Sequence, residues 1–288
     1  MRHLILPLVT ITVIISSCTK RSTNHQDGEL RISGSDTEFQ LVQQLLSAYQ
    51  KANKGAQTFK VEGGGSSKGI EDLIGGRSII ANASRAMTNQ EKEQLESKHI
   101  SIKKHVLATD AISIITDPKI GVDSLSTIDL SNIFSGRVTN WKELRGKDLP
   151  IVIFGRDESS GTRYYLKNRF ARYHGFGSNH QACMSNEAII DHVKKNKGAI
   201  GYVGIGYIMK SYGTPIESVW TMPIYVDGGK ASSPYEMVSI YRGDYELTRP
   251  LYQYYRSNDV SIKEFLKFEQ SPEGQKVIRA SGFYNCQK

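Results

Sequence analysis

Cysteine, clustered histidine and long apolar runs are what this sequence has least of. Its 288 residues hold three cysteines, Cys18, Cys183 and Cys286, which allow at most one disulfide and leave the fold to packed cores. The seven histidines lie far apart, and even His180, Cys183 and His192 lack the paired short spacings of a zinc site, so no metal is expected. Beyond the first residues nothing approaches the roughly 18 uninterrupted apolar residues of a membrane-spanning helix. There is no basic stripe interleaved with aromatics either. The formal net charge of +8 is spread along the chain, which excludes nucleic acid as a partner but suits the attraction of small anions.

Catalytic signatures are missing too. The run Gly63 to Gly69 places Gly69 after Lys68, where a nucleotide P-loop needs Ser or Thr. Gly63 and Gly65 begin a dinucleotide pattern that fails at Lys68. Ser160 does not sit in the G-x-S-x-G elbow of serine hydrolases. No nucleophile with a neighbouring base accompanies the serine loops, so no catalytic residue is assigned, no cofactor is required, and a phosphatase is the weakest reading.

What is present begins with the N-terminus. Arg2 and His3 precede an apolar run from Leu4 to Ile15, too short to cross a bilayer but built like an export signal. The run ends Ile15-Ser16-Ser17-Cys18, similar to the lipobox at which bacterial lipoprotein signals are cut and the cysteine acylated. Residues 1–17 therefore read as a lipoprotein signal peptide and 18–28 as a lipidated cysteine with a polar tether. Acyl chains on Cys18 would hold the mature chain on a membrane surface, outside the cytoplasm in the periplasm or at the cell surface. Export leaves Cys183 and Cys286 as a pair of thiols where a disulfide can persist, and the sequence leaves open whether they meet.

The remaining length exceeds the usual single domain, and a hydrophobic share of 39% can fill two cores. Strands at Leu30–Ser33, Thr58–Glu62 and Ile79–Ser84 alternate with helices at Asp36–Asn53 and from about Ser67. Thr88 with Glu91 then forms a capping box. The pattern restarts with strands at Asp110–Thr116 and Pro150–Gly155, helices opening at Ser126 and Ser185 and after Thr162, and a strand at Ala199–Val203. Val219–Val226 and Met237–Tyr241 have strand character, Leu247–Ser257 and Ile262–Phe268 read as helices, and Ser271-Pro272-Glu273 starts another. This predicts an α/β protein of two lobes, each an open mixed sheet flanked by helices, with ligand in the cleft between them. Residues 29–108 with 221–288 form lobe 1 and 109–220 lobe 2, joined near His105–Asp110 and Trp220–Tyr225.

Three loops at strand ends carry small hydroxyl or glycine residues and lead into helices: Gly34-Ser35-Asp36-Thr37, Gly65-Ser66-Ser67, and Arg156 through Ser160-Gly161-Thr162. Amides in a first helical turn, with the positive end of the dipole, favour an anion, and hydroxyls add donors. Arg85 and Arg156 lie just beyond strands, within reach of a cleft, and an arginine fork suits a tetrahedral oxyanion.

These segments, with Ala83-Ser84-Arg85, Phe134-Ser135-Gly136, Thr139-Asn140-Trp141 and Gly198 to Val203, resemble the phosphate-binding proteins of bacterial phosphate ABC importers, the PstS-like members of the type 2 periplasmic-binding-protein superfamily. The resemblance runs from about Leu30 to the C-terminus. It implies a monomeric binding protein that closes on inorganic phosphate and delivers it to a membrane permease. It also implies phosphate contacts from Thr37, Ser66, Arg156, Ser160, Gly161 and Thr162, with Glu158 orienting Arg156; Ser35, Ser67 and Arg85 complete the expected set. Some relatives have an aspartate at the position of Arg85, where it accepts the phosphate proton, so Asp36, Glu38 and Glu158 become the candidates for that task. Another oxyanion, or a role as sensor or adhesin, is the alternative.

Overall fold

The computed structural model describes residues 30–211 and 214–285. The segments read above as a signal peptide and a tether, Cys18 between them, and Cys286, with it the question of a Cys183–Cys286 bond, lie outside the described residues.

Leu30–Gly34 (β1), Phe59–Glu62 (β2) and Ile80–Ala83 (β3) alternate with helices Asp36–Ala52 (α1), Ser66–Ile74 (α2) and Asn89–Ser97 (α3). A 15-residue strand follows, Ile102–Thr116 (β4), then the short Leu125–Ser126 (β5) and helix Thr127–Phe134 (α4). Val152–Arg156 (β6), Gly161–Phe170 (α5), His180–Cys183 (β7), Asn186–Lys195 (α6) and Ala199–Gly204 (β8) come next. Short strands Met209–Ser211 (β9), Thr214–Pro215 (β10), Trp220–Thr221 (β11) and Ile224–Tyr225 (β12) lead to helix Met237–Arg242 (α7). Thr248–Arg256 (β13), Lys263–Gln270 (α8) and Pro272–Ala280 (α9) complete the order.

The main sheet runs β2-β1-β3-β13-β4-β8-β6-β7, with β11 also on β4. Its two halves are the two lobes, and β4 belongs to both. Residues Ile102 to Ala111 pair with β13, whereas Ile112 to Thr116 pair with β8. In lobe 1, α1, α8 and α9 cover one face through Leu41, Leu45, Tyr49, Phe265 and Ile278, while α2 and α3 cover the other through Ile70, Leu73 and Leu95. Lobe 2 packs around Phe134, Trp141, Phe154 and Tyr202. Trp141 is fully buried and donates its indole N–H to the carbonyl of Gly198 at 2.8 Å, so its one polar atom is satisfied.

Three expectations need correction. Leu247–Ser257 is a strand, not a helix. Its burial alternates, with Arg249, Leu251 and Gln253 inward, and it is rich in Tyr, which favours a pleated surface. Pro250 would break a helix but fits here, because pairing with β3 begins only at Tyr252, so its missing N–H breaks no bond on that side. Met237–Tyr241, expected as a strand, is the short helix α7, closed by Gly243 at φ 79°; an apolar run this short has no decisive period. The return to lobe 1 also falls later than Trp220–Tyr225. There β11 pairs with Ile115 and Thr116, and β12 with β5, all in the second half. The chain crosses back at Leu247–Thr248, where Leu247 accepts from the Ile112 amide and Thr248 pairs with Ala111.

Candidate anion-binding site

The N-termini of α1 and α2 in lobe 1 and of α5 in lobe 2 meet at one seam. Each follows a strand by one short loop, so the strand ends fix where the helices begin. Ser35 caps α1, Gly65 caps α2 with φ 91°, and Ser160 caps α5, its Oγ accepting from the Arg163 amide. Thr37 Oγ1 lies 3.3 Å from Thr162 Oγ1, across the lobes. The Ser67 amide donates to Ser159 O at 3.2 Å. Ser66 Oγ accepts from the Ser84 amide at 3.1 Å.

Glycine is required at this seam. A side chain on Gly65 would meet Ser159, and one on Gly161 would overlap Ser66 Oγ and Ser84 Oγ. Ser35, Thr37, Ser66, Ser160 and Thr162 are all buried. Three positive helix ends with buried hydroxyls, facing one another from two lobes, form a candidate cradle whose chemistry suits an oxyanion.

The two expected arginines are both buried but differently engaged. Arg156, at the end of β6, forms an ion pair with Asp36 Oδ2 at 2.9 Å, and its Nε has no hydrogen-bond partner among the described residues. Arg85 is held by both oxygens of Glu91 at 2.7 and 2.8 Å, donates to Ser67 Oγ at 2.9 Å, and lies 5.1 Å from the Tyr164 ring centroid. Glu91, read from the sequence as a capping residue, does cap α3 by accepting from the Thr88 amide, and it neutralises Arg85 as well.

Glu158 does not orient Arg156. It is exposed and accepts from Arg163 Nε and Nη2 at 3.0 and 2.7 Å. That pairing lowers its pKa, with Arg163 as the main cause. Arg163 stands over the Phe176 ring and reaches His180, where burial and then Arg163 push the imidazole down to about 4. The residue that orients Arg156 is Asp36, whose Oδ1 also accepts from the Gly64 amide. Glu38 is fully buried, and burial raises its carboxyl well above the usual range.

Sequence reasoning missed Arg249 and the role of Asp110. Arg249 Nε and Nη2 donate to Asp110 Oδ2 at 3.0 and 2.9 Å, and Nη1 donates to Ser84 O at 3.2 Å. Nη2 also reaches Thr162 Oγ1 at 2.8 Å and Thr37 Oγ1 at 3.2 Å. Asp110 Oδ1 accepts from the Ile205 amide, and burial raises the Asp110 carboxyl although Arg249 opposes it. The available signal was Pro250 beside a period-two pattern; reading β13 as a helix hid it. A cavity of about 450 Å³ lies beside the seam, sharing Ser84, Arg85 and Arg249 as walls and lined further by Tyr164, Tyr165 and Tyr252.

Two α/β lobes sharing one continuous strand, with helix ends from both lobes converging at their seam, are the architecture of a cleft-type solute-binding protein. The chain belongs to the PBP superfamily, whose domain model matches residues 19–273. It is 26% identical over 291 residues to the phosphate-binding protein PstS of Borreliella burgdorferi, covering 96% of this chain and 97% of that one. A Clostridium perfringens structure with bound phosphate, described as a phosphate ABC transporter substrate-binding protein, superposes with a TM-score of 0.78 at 27% identity, covering 90% of this chain and all of that one. An ABC-type phosphate transport receptor from Vibrio cholerae gives a TM-score of 0.70 at 26% identity, covering 89% of this chain and all of the receptor.

Proposed function

We propose that this chain is an extracytoplasmic solute-binding lipoprotein that captures inorganic phosphate between its lobes for the membrane permease of an ABC importer. The observation that carries this reading is the convergence of the α1, α2 and α5 N-termini from both lobes beside Arg156. Arg156, Arg85 and Arg249 each have a carboxylate partner in Asp36, Glu91 and Asp110. The anion is therefore held by amides, hydroxyls and guanidinium N–H groups rather than by excess positive charge. One chain carries both halves of the cradle, so a monomer suffices.

Calorimetric titration with phosphate, arsenate, sulfate and tungstate tests the reading. Phosphate is expected to bind with a free energy of about −8 kcal/mol or better, arsenate to compete, and sulfate and tungstate to bind far more weakly. Tighter binding of sulfate or tungstate would transfer the function to another oxyanion. Hydrolysis of p-nitrophenyl phosphate above the buffer rate would make the protein an enzyme.

Selectivity over sulfate is assigned to Asp36. Phosphate near neutral pH keeps a proton that a carboxylate can accept, whereas sulfate presents only acceptors and is repelled. Asp36 Oδ2 is buried at the seam, while Glu158 is exposed and Glu38 is held toward its neutral form. In competition binding Asp36→Asn should lose much of its discrimination against sulfate and Glu158→Gln should keep it. Equal rejection by both variants would contradict the assignment. Anchoring through Cys18 rests on the N-terminal pattern. Fatty-acid labelling of the cell-expressed protein should be lost in Cys18→Ala.

A further inference from the structure

We infer that Arg249 is a positioning residue that latches the two lobes together and sets the two threonine hydroxyls of the seam as donors toward the bound anion. The inference rests on the phosphate-binding reading above. Arg249 belongs to lobe 1, on β13, and Thr162 to lobe 2, on α5. The 2.8 Å bond between them therefore exists only while the lobes are together. The other hydroxyl that Nη2 reaches, on Thr37, belongs to lobe 1. One guanidinium nitrogen thus touches a hydroxyl from each lobe.

A guanidinium can only donate, so each threonine oxygen accepts in its bond with Arg249 and must direct its own hydrogen elsewhere. The 3.3 Å contact between the two hydroxyls can use one of those hydrogens. At least one O–H remains as a donor that an anion in the cradle can accept. Such an arrangement favours a ligand whose facing oxygens are pure acceptors and disfavours one that presents a hydroxyl there. Arg249 cannot swing away to reverse it. Asp110 grips Nε and Nη2, Ser84 O accepts from Nη1, and Asp110 is itself fixed by the Ile205 amide. Asp110 sits on β4 one residue before the strand changes lobes, so the latch is anchored at the crossing itself.

Stopped-flow measurement of phosphate association and dissociation tests the inference. Arg249→Met is expected to raise the dissociation rate about tenfold or more, with the association rate changed less than about threefold, because the cross-lobe bond forms after encounter. In a Thr37→Val/Thr162→Val background the same substitution should have little further effect, since Arg249 acts through those two hydroxyls. If Arg249→Met does not fold, the paired Asp110→Asn/Arg249→Met variant removes both buried charges and keeps an acceptor for the Ile205 amide. Its melting temperature establishes that it is native before the rates are read. Unchanged dissociation in a folded variant, or an equal loss in the double-valine background, would overturn the inference while leaving phosphate binding intact. Failure of the parent protein to bind phosphate would instead overturn the functional reading.

Discussion

Arg156 and Arg85 come from opposite lobes and are about equally buried, yet their neighbours make them unequal. Arg156 pairs with one carboxylate through Nη2, whereas Arg85 has Nη1 and Nη2 both occupied, by Glu91 and Ser67; the Nε of each lacks a partner among the described residues. Arg156→Ala is therefore expected to weaken phosphate binding by about 2–3 kcal/mol, and Arg85→Ala by less than about 1 kcal/mol, measured by calorimetry. The reverse order would move the anion to the Arg85 side of the seam. Most of the hydroxyl cradle was legible in the sequence, because Ser35, Ser66 and Ser160 stand where strand ends turn into helices and their local geometry follows from that. Glu158 was not, since its partner is decided by α5, which brings Arg163 nearer than Arg156.

Among the elements, α5 bears most directly on function, because its first residue packs against the opposite lobe. Gly161 has no left-handed φ, so alanine suits its backbone and a helix start. The added methyl would instead collide with Ser66 and Ser84 across the seam. Gly161→Ala is expected to leave the melting temperature within a few degrees of the parent and to reduce phosphate affinity at least tenfold. Loss of folding together with binding would mean that the seam is part of the core rather than a closing surface. The β-α units of lobe 1 followed from periodicity, since α1 repeats its apolar residues over 17 positions. The strand that joins the lobes, β4, and its neighbour β13 did not. β4 was recognised only from Asp110 onward, because Lys103, Lys104 and His105 interrupt its apolar pattern, and β13 was taken for a helix despite Pro250. Their alternation reflects pairing between segments far apart in sequence, which no local window contains, and with β13 went Arg249.

At the scale of the whole molecule, lobe 1 holds buried acid groups away from the seam surface. Glu269 is fully buried and accepts from Gln253 Nε2 at 3.0 Å, and burial raises its pKa to about 8. The folded protein therefore keeps a proton that the unfolded chain releases above a pKa of about 4.5. This contribution to stability is fully present below the lower value and is lost as pH rises toward the upper one; Glu38 acts in the same direction. The melting temperature of the parent should fall between pH 6 and pH 8.5, and Glu269→Gln should flatten much of that fall. An unchanged slope in the variant would show that Glu269 does not retain its proton. The central claim, that an oxyanion is held where helix ends of both lobes meet, is tested most directly by following backbone amide resonances during titration with inorganic phosphate. The account predicts the largest shifts at Asp36, Thr37, Ser66, Gly161 and Thr162, all saturating together. Shifts confined to one lobe, or centred on the cavity beside Tyr164 and Tyr252 with the three helix ends unmoved, would contradict it.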